Sequence, residues 1–187
     1  VELGVEWIWL GLESSGSQYP KLKGSDTQAL ARELQSHGIR VHGSTIIGLE
    51  HHTPDNIDAV IEHAVAHETV FHQFMLYTPV PGTPLYREVQ SEGRLLTGVD
   101  LADIHGQYKF NFRHVAISRD QSKTMLDRAF RRDYEANGPS LFRLTASMLT
   151  GWRRYRDDPD ARVRARVRGE AAQLRAGWGA ALWAMEK

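Results

Sequence analysis

The sequence predicts an α/β fold in which roughly the first hundred residues form a parallel sheet or barrel and the rest a mostly helical extension. Three observations carry this. Short, nearly continuous apolar runs alternate with amphipathic stretches in the order β-α-β-α-β, the pattern of strands covered by helices and joined by crossovers. Beyond Gly98 that rhythm gives way to long helical stretches. The composition is that of a globular protein, with 187 residues, 41% hydrophobic, 25% charged and a mean hydropathy of −0.44, which excludes collagen, a disordered tail and a membrane span.

Each element has its own signal. Val5–Leu12 is an apolar strand. A helix from about Ser25 to His37 has Ser25 or Asp26 as N-cap, Leu30 and Leu34 on one face, and Gly38 as its stop. Ile39–Gly48 returns to strand character. Thr53 is read as the cap of a second helix that starts at Pro54, with Ile57, Val60, Ile61, Ala64 and Val65 as its core stripe. Thr69–Tyr77 is the third strand, and Thr83-Pro84 is an N-cap followed by proline at the first helical position. In the extension, helices are expected over about Arg119–Tyr134, ended by Asn137-Gly138-Pro139, over Ser140–Tyr155, and over about Asp160–Met185, the last weakened by Gly169, Gly177 and Gly179. The domains are therefore read as 1–98 and 99–187.

The formal charge of zero conceals an asymmetry. Residues 1–110 hold 7 Lys and Arg against 14 Asp and Glu, whereas residues 139–187 hold 10 against 5. A basic end can contact nucleic acid or an anionic membrane. However, the arginines at 162, 164, 166 and 168 are spaced by two and spread around a helix, as expected for a solvated face paired with acidic neighbours. Nothing reads as a signal peptide or membrane anchor, so the expected location is the cytoplasm. A strand that opens at Val5 with no turn or cap before it is expected to come from the middle of a longer protein.

In parallel α/β folds the chemistry lies where strands end at their carboxyl side, here Gly11–Ser15, Gly48–Thr53 and Tyr77–Thr83. Glu13 and Ser14 follow the first strand directly, offering a carboxylate to hydroxyls or to an ammonium group. Gly48 allows close approach of a flat ligand or of another backbone, and Ile46 and Ile47 straddle the sheet. Alternation puts Gln73, Met75 and Tyr77 on one face of the third strand and His72, Phe74 and Leu76 on the other.

The order Gly11-Leu12-Glu13-Ser14, then Ile46-x-Gly48-Leu49, then His72 to Tyr86 with its Tyr77-Thr78-Pro79-x-Pro81-Gly82-Thr83-Pro84 turn resembles the second half of a radical S-adenosylmethionine (SAM) enzyme core. It is most similar to the class carrying an N-terminal cobalamin-binding domain. The segments from Gly106 to His114 and from Asn137 to Ser140 are similar to the C-terminal extension of those proteins.

The resemblance implies the C-terminal half, about three βα units, of a partial TIM-type barrel with parallel strands. It assigns Glu13 and Ser14 to the SAM ribose or methionine ammonium, Ile46 and Gly48 to adenine packing, and Tyr77 and Thr78 to contacts around adenine. Lys21 or Lys23 is placed near the SAM carboxylate. Ser44 stands where the family has its first glycine, and Glu50-His51-His52 where Pro-Gly-Glu is usual. The family's Cys-x3-Cys-x2-Cys loop is the ligand set of a [4Fe–4S] cluster, and this sequence has no cysteine. The expected partners are therefore a missing N-terminal half, which would hold the cluster and cobalamin, and a small-molecule substrate. The chain alone is expected to be inactive.

Two rival readings come from other features. Nine histidines, with His63-x3-His67 at helical spacing and His51-His52 on a strand-end loop, suggest a metal-dependent barrel hydrolase. Against it, His63 and His67 are expected on the polar face of their helix, with no general-base Glu between them. Trp152, Trp178 and Trp183 among arginines suggest a module that binds protein or RNA. Gln107, Tyr108, Asn111 and Arg113 either close over the barrel mouth and meet substrate or pack at its rim.

Overall fold

A computed structural model describes residues 3–12 and 26–174. The chain is α/β, with three parallel βα units in an open sheet followed by three helices. Strands β1 (Trp7–Gly11), β2 (Arg40–Ile47) and β3 (Phe71–Leu76) lie side by side in chain order. Helices α1 (Thr27–Ser36), α2 (Ile57–Val65) and α3 (Pro84–Ser91) follow them. Both strand pairs are parallel, with Gly11 opposite Ser44, His42 opposite Phe71 and Ile47 opposite Leu76.

The caps explain most boundaries. The Asp26 side chain accepts the Ala29 amide at 2.8 Å, and Thr83 accepts that of Tyr86 at 3.2 Å in front of Pro84. Gly38, with φ 71°, ends α1 where a Cβ would lie 2.4 Å from the Gly151 Cα, so only glycine lets the two backbones meet. The second helix corrects the sequence reading. It starts at Ile57, with Asn56 and not Thr53 at the cap. Asn56 is bound into the preceding loop, its Oδ1 accepting the Thr53 amide and its Nδ2 donating to the His51 carbonyl. Residues 54–56 therefore form a turn.

One face of the sheet is covered. Ile47, Phe74 and Leu76 pack there against Ile57, Ile61, Ala64 and Val65 of α2 and against Met125, Leu126 and Ala129 of α4 (Arg119–Asn137). Phe110, Phe112 and Ile117 belong to the same core, so residues beyond 98 share a core with those before it. Fully burying side chains of this size stabilises by roughly 1.5–3 kcal/mol each. The opposite face, carrying His42, Ser44, Ile46, Gln73 and Met75, is only half-buried.

Helix α4 opens on a capping box formed by Ser118 and Gln121, and Gly138, with φ 73°, separates it from α5 (Ser140–Tyr155). Arg143 of α5 donates to the Thr69 carbonyl at 2.7 Å and forms a buried ion pair with Asp133 at 2.7 Å, binding the extension to the start of β3. Helix α6 (Ala161–Gln173), capped by Asp160, reaches β2 through Glu170 and Arg40, 2.7 Å apart. Arg162 pairs with Asp160, and Arg166 with Glu170 and Glu6. Trp178, Trp183 and the expected helix beyond 174 lie outside the described residues. Among the described residues, no helix is long and apolar enough to cross a membrane.

Candidate functional site

The carboxyl ends of the three strands lie along one border of the sheet. At the first, Leu12 is buried and its amide donates to the Ser44 carbonyl at 2.7 Å. Glu13, Ser14, Lys21 and Lys23 lie outside the described residues.

At the second, Gly48 adopts φ 83°, and a Cβ there would lie 2.2 Å from Cζ of Phe110. The close approach that this glycine permits is thus taken by a side chain from 62 positions further along. His52 holds the turn. Its Nδ1 accepts the amides of Gly48 at 3.0 Å and Leu49 at 3.2 Å, which puts the ring proton on Nε2, an atom that is buried without a partner. Burial, aided by His51 and His114, pushes the His52 pKa down to about 4. Ile47 turns into the core, whereas Ile46 lies on the open face beside Met75, its register partner.

At the third, the Tyr77 amide donates to the Ile47 carbonyl at 2.8 Å, so the pairing continues one residue past the strand. The Thr78 hydroxyl donates to the Leu76 carbonyl at 2.8 Å. The turn that follows is held by Asn111, whose Nδ2 donates to the Pro79 carbonyl at 2.7 Å. The free edge of β3 is covered by the Gly106 carbonyl, which accepts the Leu76 amide, and by Gln107, which donates to the Phe74 carbonyl. The expected polar patch is therefore divided. Gln107 seals a sheet edge, Asn111 is buried, Tyr108 is partly exposed, and the Arg113 amide pairs with the Arg94 carbonyl. Gln107 and Asn111 thus bind this segment to the edge and the end of β3, while Tyr108 and Arg113 are exposed.

Gln73 was only half-legible in the sequence. Alternation puts it on the face opposite Phe74, and the structure makes that the open face, where its neighbour across the ladder is Ser44. Its Oε1 is buried and has no hydrogen-bond partner. The order along this face is thus Ser44 beside Gln73, then Ile46 beside Met75, then the ends at Gly48 and Tyr77.

The histidines do not assemble as the rival metal reading requires. His67 is not on a polar helix face but 1% exposed, because α2 ends at Val65 and the chain turns His67 under α1. Its Nδ1 donates to the His63 carbonyl and its Nε2 accepts from the Thr27 hydroxyl, both at 2.8 Å. His114 is equally engaged, donating to the Leu49 carbonyl and accepting the amides of Ala116 and Ile117. Among the described residues no group of three or more His, Asp or Glu is placed to hold a metal ion. No protein-family model matches the chain, and no curated protein matches it in sequence.

Proposed function

We propose that this chain supplies the SAM-contacting half of a radical SAM enzyme, as the last three βα units of a partial TIM-type barrel. A cysteine-bearing half, held in another segment, would complete it. The observation that carries this reading is the open face of the sheet at its carboxyl border. There Ile46 and Met75 lie side by side and half-buried, an apolar floor beyond the Ser44–Gln73 pair. The flat ring of an adenosine suits such a floor.

In this reading Gly48 contributes through its backbone alone, because Phe110 fills the space on its core side. Tyr77 borders the ring. Thr78 has spent its hydroxyl proton on Leu76 and offers lone pairs only. Glu13 and Ser14 follow Leu12 and are assigned to the ribose or the methionine ammonium. The chemistry SAM supplies in this family is radical generation by reductive cleavage, which needs a [4Fe–4S] cluster on three thiolates. With no cysteine in the sequence, the thiolates, and with them the cobalamin site, belong to the completing half. This chain's own residues bind and orient the nucleoside and exclude water from one side of it.

The test is a titration of the chain with SAM followed by protein NMR. Saturable shifts are expected at Ile46, Met75 and Tyr77, and Met75→Asp, which puts a charge into the apolar floor, is expected to abolish them. Shifts absent from the open face would overturn the reading. The chain alone, under reducing conditions with SAM, is expected to release no 5′-deoxyadenosine.

A further inference from the structure

The two edges of the sheet end differently. On the outer edge of β3, the Leu76 amide donates to the Gly106 carbonyl and the Phe74 carbonyl accepts from Gln107 Nε2. On β1, the Glu6 carbonyl accepts the Arg40 amide at 2.8 Å, and the Leu12 amide donates to the Ser44 carbonyl at 2.7 Å. In a parallel ladder the amide and carbonyl of one residue point to the same side. The even-numbered residues of this strand therefore face β2, and the backbone groups of Trp7, Trp9 and Gly11 face away from it. Among the described residues nothing pairs with those outward groups.

Exposed sheet edges ordinarily carry lysine, proline or a bulge that prevents pairing. Strand β1 reads Trp-Ile-Trp-Leu-Gly and has none of these. Trp7 is 44% and Trp9 62% exposed, and register puts both on the open face with Gly11. The strand is also complementary to itself. Laid antiparallel against another β1 about a two-fold axis through Trp9, it pairs over its whole length, with Trp9 opposite Trp9 and Trp7 opposite Gly11. Outward residues then meet outward residues, so each of these is a hydrogen-bonded pair. Glycine opposite tryptophan leaves the indole room to lie across the neighbouring strand, and the two central tryptophans become cross-strand neighbours.

We propose that β1 pairs antiparallel with β1 of a second copy of this chain, joining two three-stranded sheets into one continuous sheet with both open faces on the same side. An unrelated peptide would meet the same backbone groups without the match of tryptophan to glycine. The exposed parts of the two indoles amount to roughly one whole tryptophan, about 250 Å² per copy. That area is small beside the roughly 1,200–2,000 Å² of a standard interface, so the association is weak: monomer at about 1 µM and mostly dimer at about 1 mM. The proposal rests on the bare edge and not on the SAM reading. A completing half that laid its own strand beside β1 would displace the second copy.

The experiment is sedimentation velocity of the whole chain from about 1 µM to about 1 mM, joined to oxidative cross-linking of single-cysteine variants. The sequence has no cysteine of its own, so an introduced thiol reports one position. The Cα atoms of a hydrogen-bonded antiparallel pair lie about 5.5 Å apart, within disulfide range. Trp9→Cys is therefore expected to link two copies under mild oxidation. Trp7→Cys is not, because its two copies would lie about 13 Å apart along the strand. Trp9→Pro removes an outward amide without removing a bond to β2 and is expected to remain monomeric at about 1 mM. Trp9→Lys sets two ammonium groups opposite each other, should weaken the dimer at least roughly tenfold, and keeps the test open if Trp9→Pro fails to fold. Three results would each overturn the proposal: a monomer at every concentration; a dimer unchanged in both Trp9→Pro and Trp9→Lys; or cross-linking at position 7 in place of position 9.

Discussion

On the side of the sheet that meets α2 and α4, Val41, Thr45, Ile47, Phe74 and Leu76 are all buried and the chain supplies everything that covers them. On the other side, the alternate residues His42, Ser44, Ile46, Gln73 and Met75 are half-buried, and Trp9 is 62% exposed. The strands are common to both faces, so the difference lies in what the chain brings to each. It completes a core on one side and leaves a row of aromatic and amphipathic groups on the other, where Trp9 stacks on His42 with ring centroids 4.5 Å apart. All-parallel sheets are normally covered on both faces. Among the described residues the second face is only half-covered, and the nucleoside contacts proposed above lie on it.

The sharpest way to break the comparison is at the covered face, with Gly48→Ala. The new methyl group would overlap the Phe110 ring and would also force alanine to hold φ 83°. Overpacking and left-handed backbone together are expected to cost about 2–5 kcal/mol in urea unfolding. Adding Phe110→Leu should return part of that loss, because the two residues share one space. A single-variant loss below about 1 kcal/mol, smaller than left-handed alanine alone would cost, would mean that Gly48 is not closed off by the core.

That contact also marks how far the sequence could be read. The strands, the caps at Asp26 and Thr83, the stop at Gly138 and the span of α5 were legible because each depends on residues within one turn of chain. Three features were not. Phe110 against Gly48 and His67 under α1 are packing events between distant segments, and no local pattern reports them. Which face of β3 would be open also could not be chosen, since Gln73, Met75 and Tyr77 alternate with His72, Phe74 and Leu76 in a way compatible with either side being inward. Of the strand-end residues, Ile46, Gly48, Tyr77 and Thr78 can be placed on the sheet border, while Glu13 and Ser14 fall outside the described residues.

Histidine titration separates the two faces by a smaller but readable effect. His72, on the covered face, accepts from the Thr45 hydroxyl, and burial pushes its pKa down to about 4 although the Asp133 carboxylate acts in the opposite direction. His52 is held at about the same value. Both folded values lie below the unfolded one of about 6.5, so the unfolded chain binds more protons between about pH 4 and 6.5. The stability these groups contribute is complete above that window and is lost as pH falls through it, on the order of 3 kcal/mol for each histidine. His52→Asn keeps an acceptor for the Gly48 and Leu49 amides and should remove about half of this pH dependence. On the open face, half-buried His42 is lowered by burial alone, and covering that face with a completing segment should lower it further. A pH profile that stays flat between 4 and 6.5 would contradict the burial assigned to His52 and His72.

The smallest effect is expected where the sheet is bare. Trp9→Ser removes a large aromatic side chain, yet most of that side chain is already in water and its principal contact is the stack on His42. Loss of such a pair costs about 0.5–1.5 kcal/mol, and the exposed remainder of the indole contributes little because it is not transferred from water on folding. Urea unfolding should therefore change by no more than about 1.5 kcal/mol, below the penalty at Gly48. If Trp9→Ser instead destabilised the chain as strongly as a core truncation, about 3–5 kcal/mol, the open face would be part of the chain's own core. The contrast between the two faces, and the nucleoside surface proposed on the barer one, would then fail together.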